Sequence, residues 1–251
     1  MNVLTTGVAQ GLGRHLYEVF GGYGLSRENS AELLEKLAKE GVDLIIHAAF
    51  NATGKVSPET LPAYLEDNVM LTQKLTALPH KKFVYISSTE VYPKNEVSHS
   101  EEETLDVESH ENPYSVAKIV SETIVRVNTP NHLIIRCAGL LGQHAKKGNL
   151  KKIFEDKEPV LSLTPDSECN FVTHSTVSRF IQKALDQNLQ GIYNIASNKN
   201  IHMAELADIV RKRVRFGEFD YRVGNIVIDK AVAVLPELRK TSLEVIKEFF
   251  K

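Results

Sequence analysis

The sequence predicts an α/β fold in which a doubly wound parallel sheet carries helices on both faces and a small C-terminal lobe follows. Three observations carry this prediction. Short β-rich runs alternate with longer amphipathic stretches, the order that parallel strands and their crossover helices require. The chain opens on such a run, Met1 to Thr6, then passes through Gly7-Val8-Ala9-Gln10-Gly11-Leu12-Gly13 into the apolar-periodic His15 to Phe20. Its 251 residues, 42% apolar and 25% charged, suffice for one large core or for a core and a smaller lobe.

The β-rich runs place strands at Asn2 to Thr5, Tyr23 to Ser26, Leu44 to His47, Lys82 to Ser87, His132 to Arg136 and Ile192 to Ile195. Amphipathic spacing places helices at Gly13 to Phe20, Ala31 to Glu40, Glu59 to Leu78, Tyr114 to Asn128 and His174 to Asn188. Further on, the segment from Ile201 to Val210 reads as a helix, and Ser242 reads as the N-cap of a last one. The polar, acid-rich stretch from Lys94 to Glu111 is long enough for a lid or substrate loop, and equally for a solvated connection.

A net charge of −2 and scattered basic residues argue against nucleic-acid binding. No apolar run approaches the roughly 20 residues of a membrane span and no signal-like segment opens the chain, so a cytoplasmic protein is expected. Cys137 and Cys169 are too few for a metal cage and read as core residues. His47, His144 and His174 lack metal-ligand spacing, so no metal is assigned.

The chemistry concentrates at Tyr114-Ser-Val-Ala-Lys118 and at Ser88, which closes an apolar run 26 residues earlier. Tyrosine and lysine four apart share one helical face, so the ammonium is expected to hold the phenol and favour its ionisation. That makes a proton donor and acceptor. Ser88 would polarise a carbonyl opposite the phenol, as hydride transfer at a secondary alcohol requires. Strand, glycine turn and helix is the order a dinucleotide site needs: the turn lets backbone approach a pyrophosphate, and free N–H groups at the helix start attract its charge.

On these residues the chain resembles the extended short-chain dehydrogenase/reductase superfamily, the NAD-dependent epimerase/dehydratase branch that modifies sugar nucleotides. The resemblance spans nearly the whole chain. Thr6-Gly7 through Gly13 is similar to its TGxxGxxG fingerprint, with Gln10 where the middle glycine stands. Asn112-Pro113-Tyr114 through Lys118 is similar to its PYxxxK segment, and Phe83 to Tyr92 to the strand bearing the catalytic serine or threonine. Asp43 to Ala49, Asn68, Leu133 to Gly142, Asn170-Phe171-Val172 and Gly191 to Ala196 resemble further landmarks.

The resemblance implies a Rossmann-type domain over residues 1–165 and, over 166–251, its last elements interleaved with a substrate lobe. It implies Gly7, Gln10, Gly11, Leu12, Gly13, Arg14, Arg27, His47, Ala48, Ala49, Tyr114, Lys118, Cys137 and Leu140 at the cofactor. It implies Phe50, Ser88, Thr89, Glu90, Tyr114 and Asn170 at the substrate. Arg27 stands where an aspartate would select NAD, and with Arg14 it suits the 2′-phosphate of NADP. The implied activity is an NAD(P)(H)-dependent reductase or epimerase of a nucleotide-linked or similar sugar. Glu90 offers an alternative, a 4,6-dehydratase or oxidative decarboxylase. A redox-silent dinucleotide-binding protein is the reading from another class, and a homodimer is the expected assembly.

Overall fold

The computed structural model describes residues 1–251 except Gly54, Glu96, Glu111, Lys146 and Lys147. In chain order its strands are β1 (Val3–Thr6), β2 (Tyr23–Leu25), β3 (Val42–His47), β4 (His80–Ser88), β5 (Ser98–His99), β6 (His132–Cys137), β7 (Gly139–Leu141), β8 (Glu168–Cys169), β9 (Phe171–Thr173), β10 (Gly191–Ile195), β11 (Ile201–His202) and β12 (Asn225–Ile226). Its α-helices are α1 (Gly11–Phe20), α2 (Ser30–Glu40), α3 (Leu61–Leu65), α4 (Leu71–Thr76), α5 (Pro113–Asn128), α6 (Asn149–Glu155), α7 (His174–Asp186), α8 (Met203–Val210), α9 (Asp229–Val234) and α10 (Ser242–Phe249).

Six strands form one parallel sheet in the order β10-β6-β4-β3-β1-β2. Successive side chains leave opposite faces, and each face has its own core. Val3, Leu44, Ile46, Val84, Ile86, Leu133 and Ile135 cluster with residues of α1, α7 and α9. Their neighbours Leu4, Ile45, Phe83, Tyr85 and Ile134 cluster with residues of α2, α4 and α5. This is the doubly wound fold the alternation implied. On one side the sheet stops at β2. Asn29 closes the chain there: its Oδ1 accepts the Ser26 N–H at 2.8 Å and its Nδ2 donates to the Gly24 carbonyl at 2.9 Å, so the backbone reverses directly into α2.

Several boundaries differ from expectation for visible reasons. The stretch read as one helix from Glu59 to Leu78 contains a π-turn over Glu66–Met70 between α3 and α4. The Asn68 carbonyl there accepts the hydroxyls of Thr72 at 2.7 Å and Ser121 at 3.3 Å, competition that widens a helical turn. Thr241, not Ser242, caps α10, in a capping box with Glu244. Ser242 Oγ instead accepts the Phe171 N–H at 3.1 Å. Ile201 and His202 pair with β8 before α8 begins.

A third apolar cluster gathers residues of α6, α8 and α10 with Leu161, Leu163 and Cys169. The acid-rich stretch is fastened to the rest of the molecule along its first half. β5 pairs with β12, the His99 ring stacks on Tyr92 at 5.1 Å, and Glu101 Oε1 accepts the Asn194 N–H at 2.8 Å. Its Glu96 and Glu111 lie outside the described residues. Among the described residues no helix is long and apolar enough to cross a membrane.

Beneath the sheet's end, His47 is fully enclosed. Thr6 O–H donates to its Nδ1 at 2.8 Å, and its Nε2–H donates to Thr72 Oγ1 at 3.0 Å, since the Thr72 hydroxyl is spent on Asn68. The ring, expected beside the cofactor, is therefore a fastener between β1, β3 and α4. Burial, helped by the Lys118 charge, lowers its pKa to about 3. An unfolded histidine takes a proton below about 6.5, so this contribution is complete above that pH and is lost as pH falls toward 3. Between pH 6.5 and 5 urea melts should show about 2 kcal/mol of lost stability that His47→Gln does not show. An equal loss in both proteins would remove His47 as the cause.

Candidate active site

The C-terminal ends of β1, β3, β4 and β6 lie side by side at one end of the sheet, the end where open parallel sheets bind ligands. At the end of β1, Gly7 turns with φ of +77°, and a Cβ there would lie 2.9 Å from the Ala49 nitrogen. At Gly13 a Cβ would lie 2.4 Å from the Gly7 carbonyl oxygen. Neither position has room for a side chain, because the segment after β3 is pressed against Gly7 and α1 is pressed against the turn that precedes it. Thr6 Oγ1 ties the turn to β3 by accepting the N–H groups of Ala48 at 3.1 Å and Ala49 at 2.9 Å. Gln10 is extended and exposed at the N-cap without a side-chain cap, with Gly11, Leu12 and Gly13 opening the helix. This cradle fits a dinucleotide pyrophosphate, which approaches backbone closely and is drawn to the start of a helix.

Ser88 ends β4 and caps the short 3₁₀ turn Thr89–Val91, its Oγ accepting the Glu90 N–H at 3.2 Å. Asn112 caps α5 through the Tyr114 N–H at 2.9 Å, with Pro113 at the first helical position, and so aims Tyr114 and Lys118 back at Ser88. The Ser88 side chain lies close enough to Tyr114 to pull the phenol's pKa down. Lys118 is buried beneath them and donates to the Ile86 carbonyl at 2.7 Å. Three rings surround its ammonium, with centroids at 4.0 Å for Phe50, 4.9 Å for Tyr85 and 5.9 Å for Tyr114. The Phe50 ring also meets Tyr114 edge-on at 4.8 Å.

These surroundings correct the expected electrostatics. Burial lowers the Lys118 ammonium to about 7, with Cys137 and Glu122 opposing it. Burial also pushes the Tyr114 phenol up to about 12; the Ser88 side chain pulls it down and the Glu90 charge adds to the rise. In the free protein Tyr114 is thus a proton donor, and the lysine does not ionise it. The Cys137 thiol behind them is buried and likewise pushed up to about 12.

Residues 4–158 match the model of the NAD dependent epimerase/dehydratase family. The chain belongs to that family. It is accordingly of the NAD-dependent epimerase/dehydratase class of enzymes. No curated protein matches the sequence. Among solved structures it is similar to UDP-glucuronic acid 4-epimerase from Bacillus cereus in complex with UDP-glucuronic acid and NAD, with a TM-score of 0.80 at 18% identity, over 100% of this chain and 99% of that one. It is also similar to a dTDP-4-dehydrorhamnose reductase from Clostridium acetobutylicum, with a TM-score of 0.79 at 14% identity over 99% and 98%. For dTDP-glucose 4,6-dehydratase from Bacillus anthracis in complex with NAD the TM-score is 0.80 at 18% identity, over 100% and 95%. At these identities the likeness is one of fold.

In this epimerase/dehydratase family chain the remaining expected residues divide. Leu140 on β7 is half-buried, and Thr89 is buried within its turn. Asn170, expected at the substrate, is consumed internally: Nδ2 donates to the Ser197 carbonyl and to Asn200 Oδ1, while Oδ1 accepts the Ser197 N–H at 2.7 Å. Arg27 pairs with Asp67 at 2.7 Å and Arg14 with Glu18 at 3.0 Å, so both cations reserved for a 2′-phosphate face carboxylates. Glu90 is held by Lys94 at 2.7 Å and by the Tyr221 hydroxyl, which donates to it. Tyr221 and Asp67 belong to the site's surroundings without any local sequence signal, because each meets its partner only through the fold, whereas Lys94 lies four residues after Glu90. Among the described residues no group of three or more His, Cys, Asp or Glu is placed to hold a metal ion.

Proposed function

We propose that the chain is an NAD(H)-dependent oxidoreductase or epimerase acting at a secondary alcohol or ketone of a nucleotide-linked or related sugar. The convergence of Ser88, Tyr114 and Lys118 beside the glycine cradle carries this reading. The bound nicotinamide would supply or accept the hydride. Tyr114 gives its proton to the developing alkoxide, or takes it back in the reverse direction, and Ser88 orients the same oxygen. Lys118, with one N–H spent on Ile86, offers its remaining donors to ribose hydroxyls. A protonated phenol is the form that ketone reduction requires. A 2′-phosphate would have to displace Asp67 from Arg27 and then sit beside a like charge, so NAD(H) replaces NADP(H) as the favoured dinucleotide.

Elimination through Glu90 is the second reading. A carboxylate engaged by both Lys94 and Tyr221 is poorly free to take a carbon-bound proton. For the assembly we propose a homodimer in the cytoplasm, built on α3, α4 and α5, where Leu61 and Leu65 of α3, Met70 of the π-turn and Val120 and Val127 of α5 are exposed.

Titration of the purified protein with NADH and NADPH by fluorescence, with mass spectrometry of co-purified ligand, tests the reading. NADH is expected to bind more tightly than NADPH, and a site emptied by purification would mark an exchanging reductase. Retained NAD⁺ would mark an epimerase or dehydratase, and no binding of either dinucleotide would sink the enzymatic reading. With UDP-glucuronic acid, UDP-glucose and a dTDP-4-keto sugar as probes, Glu90→Gln should keep reductase or epimerase turnover. Its loss would restore the elimination reading.

A further inference from the structure

The N–H of Gly11, the first residue of α1, donates to the backbone carbonyl of His144 at 2.8 Å. The His144 ring is anchored as well: its Nε2 lies 3.0 Å from Glu18 Oε2, while Glu18 Oε1 accepts Arg14 Nε at 3.0 Å. His144 belongs to a tight turn closed by the Ala145 N–H on the Gly142 carbonyl at 3.1 Å. Lys151 Nζ braces that turn from α6 by donating to the Ala145 carbonyl at 2.9 Å. A segment more than 120 residues away in sequence thus takes up the first amide of the cradle, and Glu18, which anchors it, occupies the first cation.

The first amide is a group that draws a pyrophosphate to the start of a helix, and a free cation beside it adds to the pull. One N–H directed at a carbonyl oxygen cannot also serve a phosphate oxygen, and Glu18 places a negative charge beside Arg14 where phosphate would gather. Gln10, where the family pattern has its middle glycine, adds a side chain at the same rim.

We propose that the Gly142–Ala145 turn occupies the pyrophosphate end of the dinucleotide site, and that His144 and Glu18 set dinucleotide affinity by holding it there. The proposal rests on the dinucleotide reading above and adds that the cofactor competes with the protein's own backbone. It is therefore held weakly and exchanged, as an enzyme consuming one reduced dinucleotide per turnover requires.

The test compares NADH titrations of wild type, His144→Ala, Glu18→Gln and the double variant, with thermal melts confirming that each is folded. His144 and Glu18 meet at the surface, and exposed ion pairs are weak. Each single variant should therefore bind NADH about two- to fivefold more tightly, and the double variant no more tightly than the singles. Without ligand, hydrogen–deuterium exchange at the Gly11 amide should be faster in His144→Ala than in wild type. Unchanged or weaker binding in His144→Ala overturns the proposal. So does tighter binding confined to Glu18→Gln, which would report only the release of Arg14. If all four proteins bind alike, the turn's role falls and the dinucleotide reading stands; if none binds, both fall.

Discussion

Tyr114→Phe should lower kcat/KM by about 10²–10⁴-fold with any nucleotide sugar that the wild type converts, while the dissociation constant for NADH stays within about threefold. The substitution removes only the hydroxyl and leaves the ring against Phe50, so α5 keeps its packing. Lys118→Met should behave differently and cost affinity as well as turnover, because in the proposed function its ammonium donates to the cofactor ribose, and its site is enclosed by three rings. Steady-state kinetics together with fluorescence titration separate the two. If affinity in Tyr114→Phe fell as steeply as activity, the phenol would be a binding group and its place as the acid would be lost.

The second large effect concerns stability. Arg136 on β6 and Glu122 on α5 form an ion pair with both side chains almost wholly buried, at 2.8 Å. Ser87 Oγ donates to the same carboxylate, and Arg136 continues to the Tyr92 hydroxyl at 2.8 Å, which in turn donates to Asn194 Oδ1 at 2.8 Å. Removing one partner strands a charge in the interior. Glu122→Leu should therefore cost about 3–5 kcal/mol in urea melts and lower Tm by roughly 10 °C, since only the Tyr92 oxygen would remain for the guanidinium. Glu122→Leu combined with Arg136→Met removes both charges and should recover most of the loss. A double variant as unstable as the single would show that the damage lies in packing and not in the stranded charge.

What could be read in advance was local. β3, β4 and β6 are buried on both faces and so appear as nearly unbroken apolar runs. α5 announces itself by Asn112 and Pro113, and Tyr114 and Lys118 share its inner face because they are four residues apart. What failed was whatever depends on segments far apart in the chain. The expectation that Lys118 would favour ionisation of Tyr114 counted their charges and left out the desolvation supplied by Phe50 and Tyr85 from other elements. Glu90 was legible as a carboxylate near the serine. Its capture by Tyr221, 131 positions later, was not, since nothing near Tyr221 in sequence points at a partner. Arg27 was legible as a cation at the ribose end, but Asp67 opposes it from the π-turn between α3 and α4.

The strand order has a consequence for how the chain is made. β1, β2, β3 and β4 pair only with one another and with β6, so most of the sheet can assemble while synthesis is still under way. The far edge of β6 stays bare until residues 191–195 leave the ribosome, and Leu133 and Ile135, buried in the finished molecule, lie along it. β9 must wait longer still for α10, whose Ser242 accepts the Phe171 amide. A nascent chain paused between these points presents an open strand edge and an uncovered apolar face, the combination that holding chaperones recognise and that favours association between unfinished copies.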